Sequence, residues 1–185
     1  IFNPYYESTN MLFGIWYTLS KLKNTYEDTI ISYGDIIFPD TLLEELSQKN
    51  SMSIVIDSTW EKNYVDRTLH RFEECEKCIL DKNKNLILAS KNLPEQFVKY
   101  SEFVGVFFIP KGILQDVINL LNKIFLNEDN LEKPFMFSET LKKAYLTDFL
   151  SFLIINNFTI KTKEINTGWI EIDTVQDLIK AKGIY

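Results

Sequence analysis

Eleven residues, 29–39 (TIISYGDIIFP), restrict the folds open to this 185-residue chain more than any other stretch. Ile30, Ile31, Ile36, Ile37 and Phe38 bracket a single Gly34-Asp35 step. An apolar run this nearly continuous suits a strand covered on both faces, the interior position of a parallel sheet. Gly34 permits close approach of the backbone to a ligand. Ligand crevices in open α/β sheets lie beyond the carboxyl ends of strands. Asp35 at this tip is therefore a candidate metal- or phosphate-site residue, with a turn aspartate as the alternative.

The remaining chain alternates strand and helix signals. Ser8, Thr9 or Asn10 caps a predicted helix running to about Lys23, with Met11, Leu12, Ile15, Trp16 and Leu19 at helical spacing. Thr41-x-x-Glu44 reads as a capping box for a short helix to Ser47, and residues 53–57 as a strand that again ends in a carboxylate. Shorter strands are predicted over 71–80 and 85–90, joined by the polar turn Asp81-Lys82-Asn83-Lys84. Residues 103–109 read as a buried strand, 112–126 as a helix, 138–156 as a long apolar helix and 159–164 as a strand. Thr174-x-x-Asp177 caps a closing helix. This alternation argues for an α/β fold, a mainly parallel sheet flanked by helices.

Charge and apolar content narrow the partners. A net charge of -6 and a pI near 4.9 argue against nucleic acid, whose phosphates are held by dense Lys/Arg patches. A nucleotide substrate stays compatible where divalent cations bridge carboxylates to phosphates. Apolar runs such as 149–155 fall short of the roughly 18 residues of a spanning helix, so no membrane partner is expected. The chain opens on Ile1 in mid-pattern with no secretory signal, which suggests a segment of a longer protein. Cys75 and Cys78 form a lone C-x-x-C, for which redox pairing or zinc binding with His70 is open. Alternation through 72–80 points instead to thiols on opposite faces of a strand. So few cysteines fit a reducing, cytoplasmic setting.

Residues 168–174, GWIEIDT, place Asp173 where a short strand meets the capped closing helix. If Asp35 and Asp173 share one edge of the sheet, they can hold one Mg²⁺ and leave positions open for phosphate oxygens and water. Glu171 shares a face with Asp173 in an extended chain, so Asp35, Glu171 and Asp173 form the candidate metal set. The alternative is that Asp173 and Thr174 cap the helix and Trp169 is core.

The set SYGDIIF (32–38), EFVGVFFI (102–109) and GWIEIDTVQDL (168–178), with NPYYESTN (3–10), resembles the nucleotidyltransferases that include sugar-1-phosphate nucleotidylyltransferases and phosphocholine cytidylyltransferases. IDSTW (56–60), Arg67, Glu76-Lys77 and AYLTDFL (144–150) resemble a narrower branch, linked to phosphoenolpyruvate mutase or surface-polysaccharide gene sets. Members of that branch transfer CMP from CTP to small phosphorylated or phosphonate compounds such as 2-aminoethylphosphonate. The change to shorter strands within 60–100 reads as a substrate-covering β insertion. The resemblance implies a Rossmann-like fold, Mg²⁺ as cofactor, and Asp35 and Asp173 as catalytic and metal-holding residues. An acceptor oxygen attacks the α-phosphorus of a nucleoside triphosphate and pyrophosphate leaves, a transfer that asks mainly for positioning and charge neutralisation.

On the substrate side, Trp60 can present an aromatic face to a cationic head group, with Asp57 supplying charge. Arg67 and Lys77 can hold the acceptor phosphate, and Glu76 can meet Lys77 or a substrate amine. Asn10, where a helix N-terminus attracts anions beside Tyr5 and Tyr6, and Trp169 complete the candidate substrate residues. Thr147 and Asp148 can hydrogen-bond toward the site from a helix. The family's N-terminal Gly-rich loop has no counterpart after Ile1. The domain over 1–185 is accordingly expected to be incomplete at its N-terminus and to work with that missing segment or a fused partner domain; a homodimer is one possible assembly. Two alternatives stay open: a sugar-1-phosphate nucleotidylyltransferase using UTP, dTTP or GTP, and a truncated non-catalytic binding module of the same fold.

Overall fold

The computed structural model describes residues 1–22, 27–70, 72–93 and 99–183. Helix α1 (Met11–Lys21) starts where the Asn10 side chain accepts the Met11 N–H, and its expected end at Lys23 lies outside the described residues. There follow β1 (Thr29–Ser32), β2 (Ile36–Ile37), α2 (Thr41–Ser47), β3 (Ser53–Asp57), β4 (Lys77–Leu80), β5 (Leu86–Ser90), β6 (Ser101–Ile109), α3 (Lys111–Phe125), α4 (Leu146–Ile155), β7 (Lys161–Glu164), β8 (Ile170–Glu171) and α5 (Val175–Ala181).

The nine-residue β6 is the axis of the main sheet. One edge pairs with β3, and the other is shared by β4 near its start and β1 near its end. The spatial order is β5-β4-β6-β3-β7 with β1 beside β6, while β2 and β8 form a separate two-stranded ribbon. Helices cover both faces, as β6 shows: Phe103, Phe107 and Ile109 enter the larger core beneath α1, α3 and α4, while Val104, Val106 and Phe108 enter a smaller one with Leu42, Leu46 and Trp169. Every residue of β3 and β6 is buried for that reason. The α/β sheet flanked by helices thus stands as expected. Its strand directions are mixed: among the described residues β3 and β7 run parallel and the other strand pairs antiparallel.

Several elements differ from the sequence-based expectation. Residues 29–39 are two short strands: β1 lies antiparallel on β6 with alternating burial, and the chain then leaves the sheet at Tyr33 so that β2 pairs with β8. Gly34 meets nothing that a Cβ would touch; the close approach falls at Gly105, whose φ is +79° and whose added Cβ would lie 2.5 Å from Tyr33 Cδ2. The helix expected from 138 begins at Leu146, because Asp148 caps the turn before it by accepting the N–H groups of Tyr145 and Phe137 at 2.9 Å each. Glu44 forms no capping box; α2 follows Asp40, which makes no side-chain cap bond. Phe72–Glu74 is a 3-10 turn, so β4 starts at Lys77; Arg71, where that strand was expected to begin, is outside the described residues. The 77–90 hairpin continues the main sheet through β4 and β6.

Candidate active site

The ribbon of β2 and β8 brings the two informative stretches together. Ile36 lies opposite Glu171 and Ile37 opposite Ile170, and the Ile172 N–H donates to the Asp35 carbonyl at 2.8 Å. Beyond β8 the chain turns sharply into α5 because Thr174 and Asp177 cap each other: Thr174 N–H and Oγ1 donate to Asp177 Oδ2 at 2.9 and 2.7 Å. That turn leaves Asp173 at the mouth of a cavity of about 420 Å³, with Asp35 on the same wall system. Its carboxylates are Asp35, Glu74, Glu76, Glu102, Glu171 and Asp173, and its cationic side chain is Lys91.

Glu171 feels this crowding most. Burial, then Asp173, Glu102, Asp35 and Glu76, push its carboxyl from 4.5 up to about 8. Burial, opposed by the Tyr64 hydroxyl at 2.6 Å and reinforced by Asp57, raises Glu102 to about 7. Burial also raises Glu76, although the Tyr33 hydroxyl donates to its Oε2 at 2.5 Å. Glu76 Oε1 and Glu102 Oε2 are buried with no hydrogen-bond partner. Lys91 Nζ lies 4.0 Å from Glu76 Oε1, and so many carboxylates against that cation favour further positive charge from a ligand.

Among the described residues, His70, Glu171 and Asp173 offer ligand atoms that all lie within 4.8 Å of one another. His70 Nδ1 is 2.7 Å from Asp173 Oδ2. Asp35 lies on the same cavity but outside this trio. The oxygen donors of Asp35, Glu171 and Asp173 suit Mg²⁺ in type.

The other residues singled out in the sequence are placed as follows. Asn10 is a helix cap, also donating to the Lys143 carbonyl at 3.1 Å; its neighbour Met11 reaches the cavity. Asp57 is fully buried and accepts from Thr59 N–H and Oγ1, Asn63 and the Trp169 indole, so no oxygen is left for a substrate ammonium. Trp60 is 3% exposed, stacked on Tyr100 and packed by Tyr64 and Phe72, which leaves no face for a head group. Arg67 pairs with Asp177 at 2.7 Å and lines a neighbouring cavity with Lys62, Asn63 and Lys180. Lys77 donates to the Lys91 carbonyl at 3.1 Å and lies over Tyr100, away from the acidic cavity. Glu76, Glu171 and Trp169 do line it. Thr147 and Asp148 are buried in α4, with Asp148 occupied as its cap. Tyr5 and Tyr6 are exposed, and Tyr5 borders an apolar groove with Trp16 and Phe125. Cys75 and Cys78 belong to different cores, and burial pushes both thiols well above their ordinary range, which suits neither redox nor zinc chemistry.

Sequence reasoning did not assign His70, Glu102, Tyr33 or Lys91 to this site. His70 carried one signal, as the single histidine in the chain. Glu102 carried another, a carboxylate opening an otherwise apolar strand.

The fold is shared with solved nucleotidyltransferase structures. The chain is 27% identical over 180 residues to the CTP:phosphoglutamine cytidylyltransferase of Campylobacter jejuni, a match that covers 95% of the chain and 68% of that protein. It superposes on the inositol-1-phosphate CTP transferase of T. maritima with a TM-score of 0.64 and 19% identity, covering 98% of this chain and 63% of that one. The CTP:phosphocholine cytidylyltransferase of Streptococcus pneumoniae also gives 0.64, at 14% identity over the whole chain and 67% of that structure. The chain therefore spans about two thirds of these relatives' lengths. No family model matches it.

Proposed function

We propose that this chain acts in a cytidylyltransferase that moves CMP from CTP to a small phosphorylated or phosphonate acceptor and releases pyrophosphate. One observation supports this most: the β2–β8 ribbon brings Asp35, Glu171 and Asp173 onto one cavity, in a chain whose curated relative transfers a cytidylyl group. Those three carboxylates would hold Mg²⁺, which would neutralise phosphate charge during the transfer. The acceptor oxygen forms a bond to the α-phosphorus as the bond to the pyrophosphate oxygen breaks. Lys91, 4.0 Å from Glu76 Oε1, offers the cavity a cation for phosphate oxygens, and that oxygen, which has no hydrogen-bond partner, an acceptor for N–H groups. Trp169, fixed through its indole to Asp57, keeps β8 and its carboxylate in place.

The acceptor class includes phosphocholine, 2-aminoethylphosphonate and phosphoglutamine, and the pathway is surface-polysaccharide or phosphonate biosynthesis in the cytoplasm. Residues 60–100 cover the acceptor in this proposal. A homodimer is the assembly to test. Pyrophosphate release from CTP, UTP, dTTP and GTP with each acceptor decides the matter. Activity with CTP and one of these acceptors supports the proposal, UTP, dTTP or GTP with a sugar phosphate favours a sugar nucleotidylyltransferase, and binding without turnover favours a non-catalytic module.

A further inference from the structure

We propose that His70 is a metal ligand, forming with Glu171 and Asp173 a nitrogen-oxygen-oxygen site that takes transition-metal dications such as Mn²⁺ in preference to Mg²⁺. This rests on the cation site of the proposed function and adds to it a residue and a selectivity.

Three independent features converge on the imidazole. First, ligand atoms of His70, Glu171 and Asp173 lie within 4.8 Å of one another, a spread that one ion can gather with small side-chain movements. Second, the Nδ1 to Asp173 Oδ2 separation is 2.7 Å. Adjacent ligands about 2.1 Å from an octahedral ion sit about 3 Å apart, so an ion can replace the hydrogen bond with little rearrangement. Third, the ring is 8% exposed and its Nε2 is buried without a partner. With the ion on Nδ1, this unpartnered Nε2 would carry the ring proton, the nitrogen that in metal-bound histidines donates to a water or another acceptor.

The ring is also held in place. It packs edge-on against Tyr64 at 5.5 Å, and Tyr64 is fixed by its hydroxyl on Glu102. Its partner Asp173 directly precedes the Thr174–Asp177 cap, which sets the backbone there. A rigid donor costs an incoming ion little ordering of the protein. Carboxylates alone suit Mg²⁺, whereas an imidazole nitrogen favours Mn²⁺ and the later first-row dications over Mg²⁺.

With a single histidine in the chain, ¹⁵N-histidine labelling gives one imidazole to follow. Titration with Zn²⁺ as a diamagnetic probe is expected to move one ring nitrogen's shift strongly, and electron paramagnetic resonance of free Mn²⁺ competed with Mg²⁺ is expected to show a preference for Mn²⁺ of about tenfold or more. His70→Asn, with unchanged circular dichroism, should bring that ratio toward parity while Mg²⁺ affinity changes little. Imidazole shifts indifferent to Zn²⁺, or a Mn²⁺ to Mg²⁺ ratio unchanged in His70→Asn, overturn the proposal. Should that variant fail to fold, the shift measurement on the unsubstituted chain decides. Neither readout uses turnover: a Mn²⁺ preference that survives His70→Asn overturns the histidine ligand and leaves cytidylyl transfer standing, whereas a bound ion without transfer does the reverse.

Discussion

The Trp169 indole N–H donates to Asp57 Oδ2 at 2.9 Å, tying the end of the central strand β3 to the segment that carries Glu171 and Asp173. Both side chains are buried, and Asp57 is fully so. Thr59 and Asn63 donate to the same carboxylate, so one aspartate anchors the loop after β3 and the approach to β8 together. Removing it leaves several buried donors unmet. Asp57→Ala should therefore cost about 3 kcal/mol or more of stability, read by urea unfolding.

Arg67 and Asp177 form a second anchor beneath the same segment, with the guanidinium also reaching the Glu171 carbonyl at 3.4 Å. Burial opposes the Asp177 charge, but the Arg67 and Thr174 hydrogen bonds outweigh it and hold the carboxyl below its ordinary value. Arg67→Ala strands a buried carboxylate and is expected to destabilise by about 3–5 kcal/mol. The loss should shrink as pH falls through the Asp177 range, because a depressed carboxyl gives its stability above its unfolded value and loses it on protonation. Denaturant midpoints at neutral and acidic pH check both the size and the trend.

Glu102 and Glu171 titrate in the opposite sense. Both carboxyls are raised from 4.5, to about 7 and about 8, chiefly by burial. Between those values the unfolded chain has released protons that the fold retains, so the stability of the metal-free chain should fall as pH rises from about 4.5 to about 8. A divalent cation should flatten that slope by stabilising the charged forms. Thermal unfolding across this window, with and without cation, tests it.

Gly105 sets the wall that holds Tyr33. An alanine Cβ there would meet Tyr33 Cδ2 at 2.5 Å and Ile36 Cδ1 at 2.6 Å, on backbone at φ +79°. Gly105→Ala should destabilise by about 2 kcal/mol or more and displace Tyr33 from Glu76, visible as a changed tyrosine environment in near-ultraviolet circular dichroism.

Local signals carried much of the fold. The runs in β3 and β6, the apolar face of α3 and the Thr174/Asp177 capping box each depend on residues a few positions apart, and each element formed close to where the sequence placed it. The division of 29–39 into β1 and β2 was not legible, because it depends on partners at 106–109 and 170–171 that compete for one apolar stretch. The candidate site was half legible. Asp35 and Asp173 announced themselves as carboxylates at strand ends and Glu171 by sharing a face with Asp173, whereas Asp57 gave the same strand-end signal and became core. Composition does not separate a carboxylate meeting four internal donors from one facing a cavity; the distant indole of Trp169 does.

The central claim is that carboxylates from distant parts of the chain hold one divalent cation at the cavity beside the β2–β8 ribbon. Asp35→Asn and Asp173→Asn should each weaken Mn²⁺ affinity at least about tenfold. The most direct measurement is anomalous diffraction from crystals soaked with Mn²⁺ and CTP. One strong peak touching Glu171 and Asp173 and facing Asp35 is the predicted result; ordered nucleotide without a peak there, or a peak at another site, would contradict it.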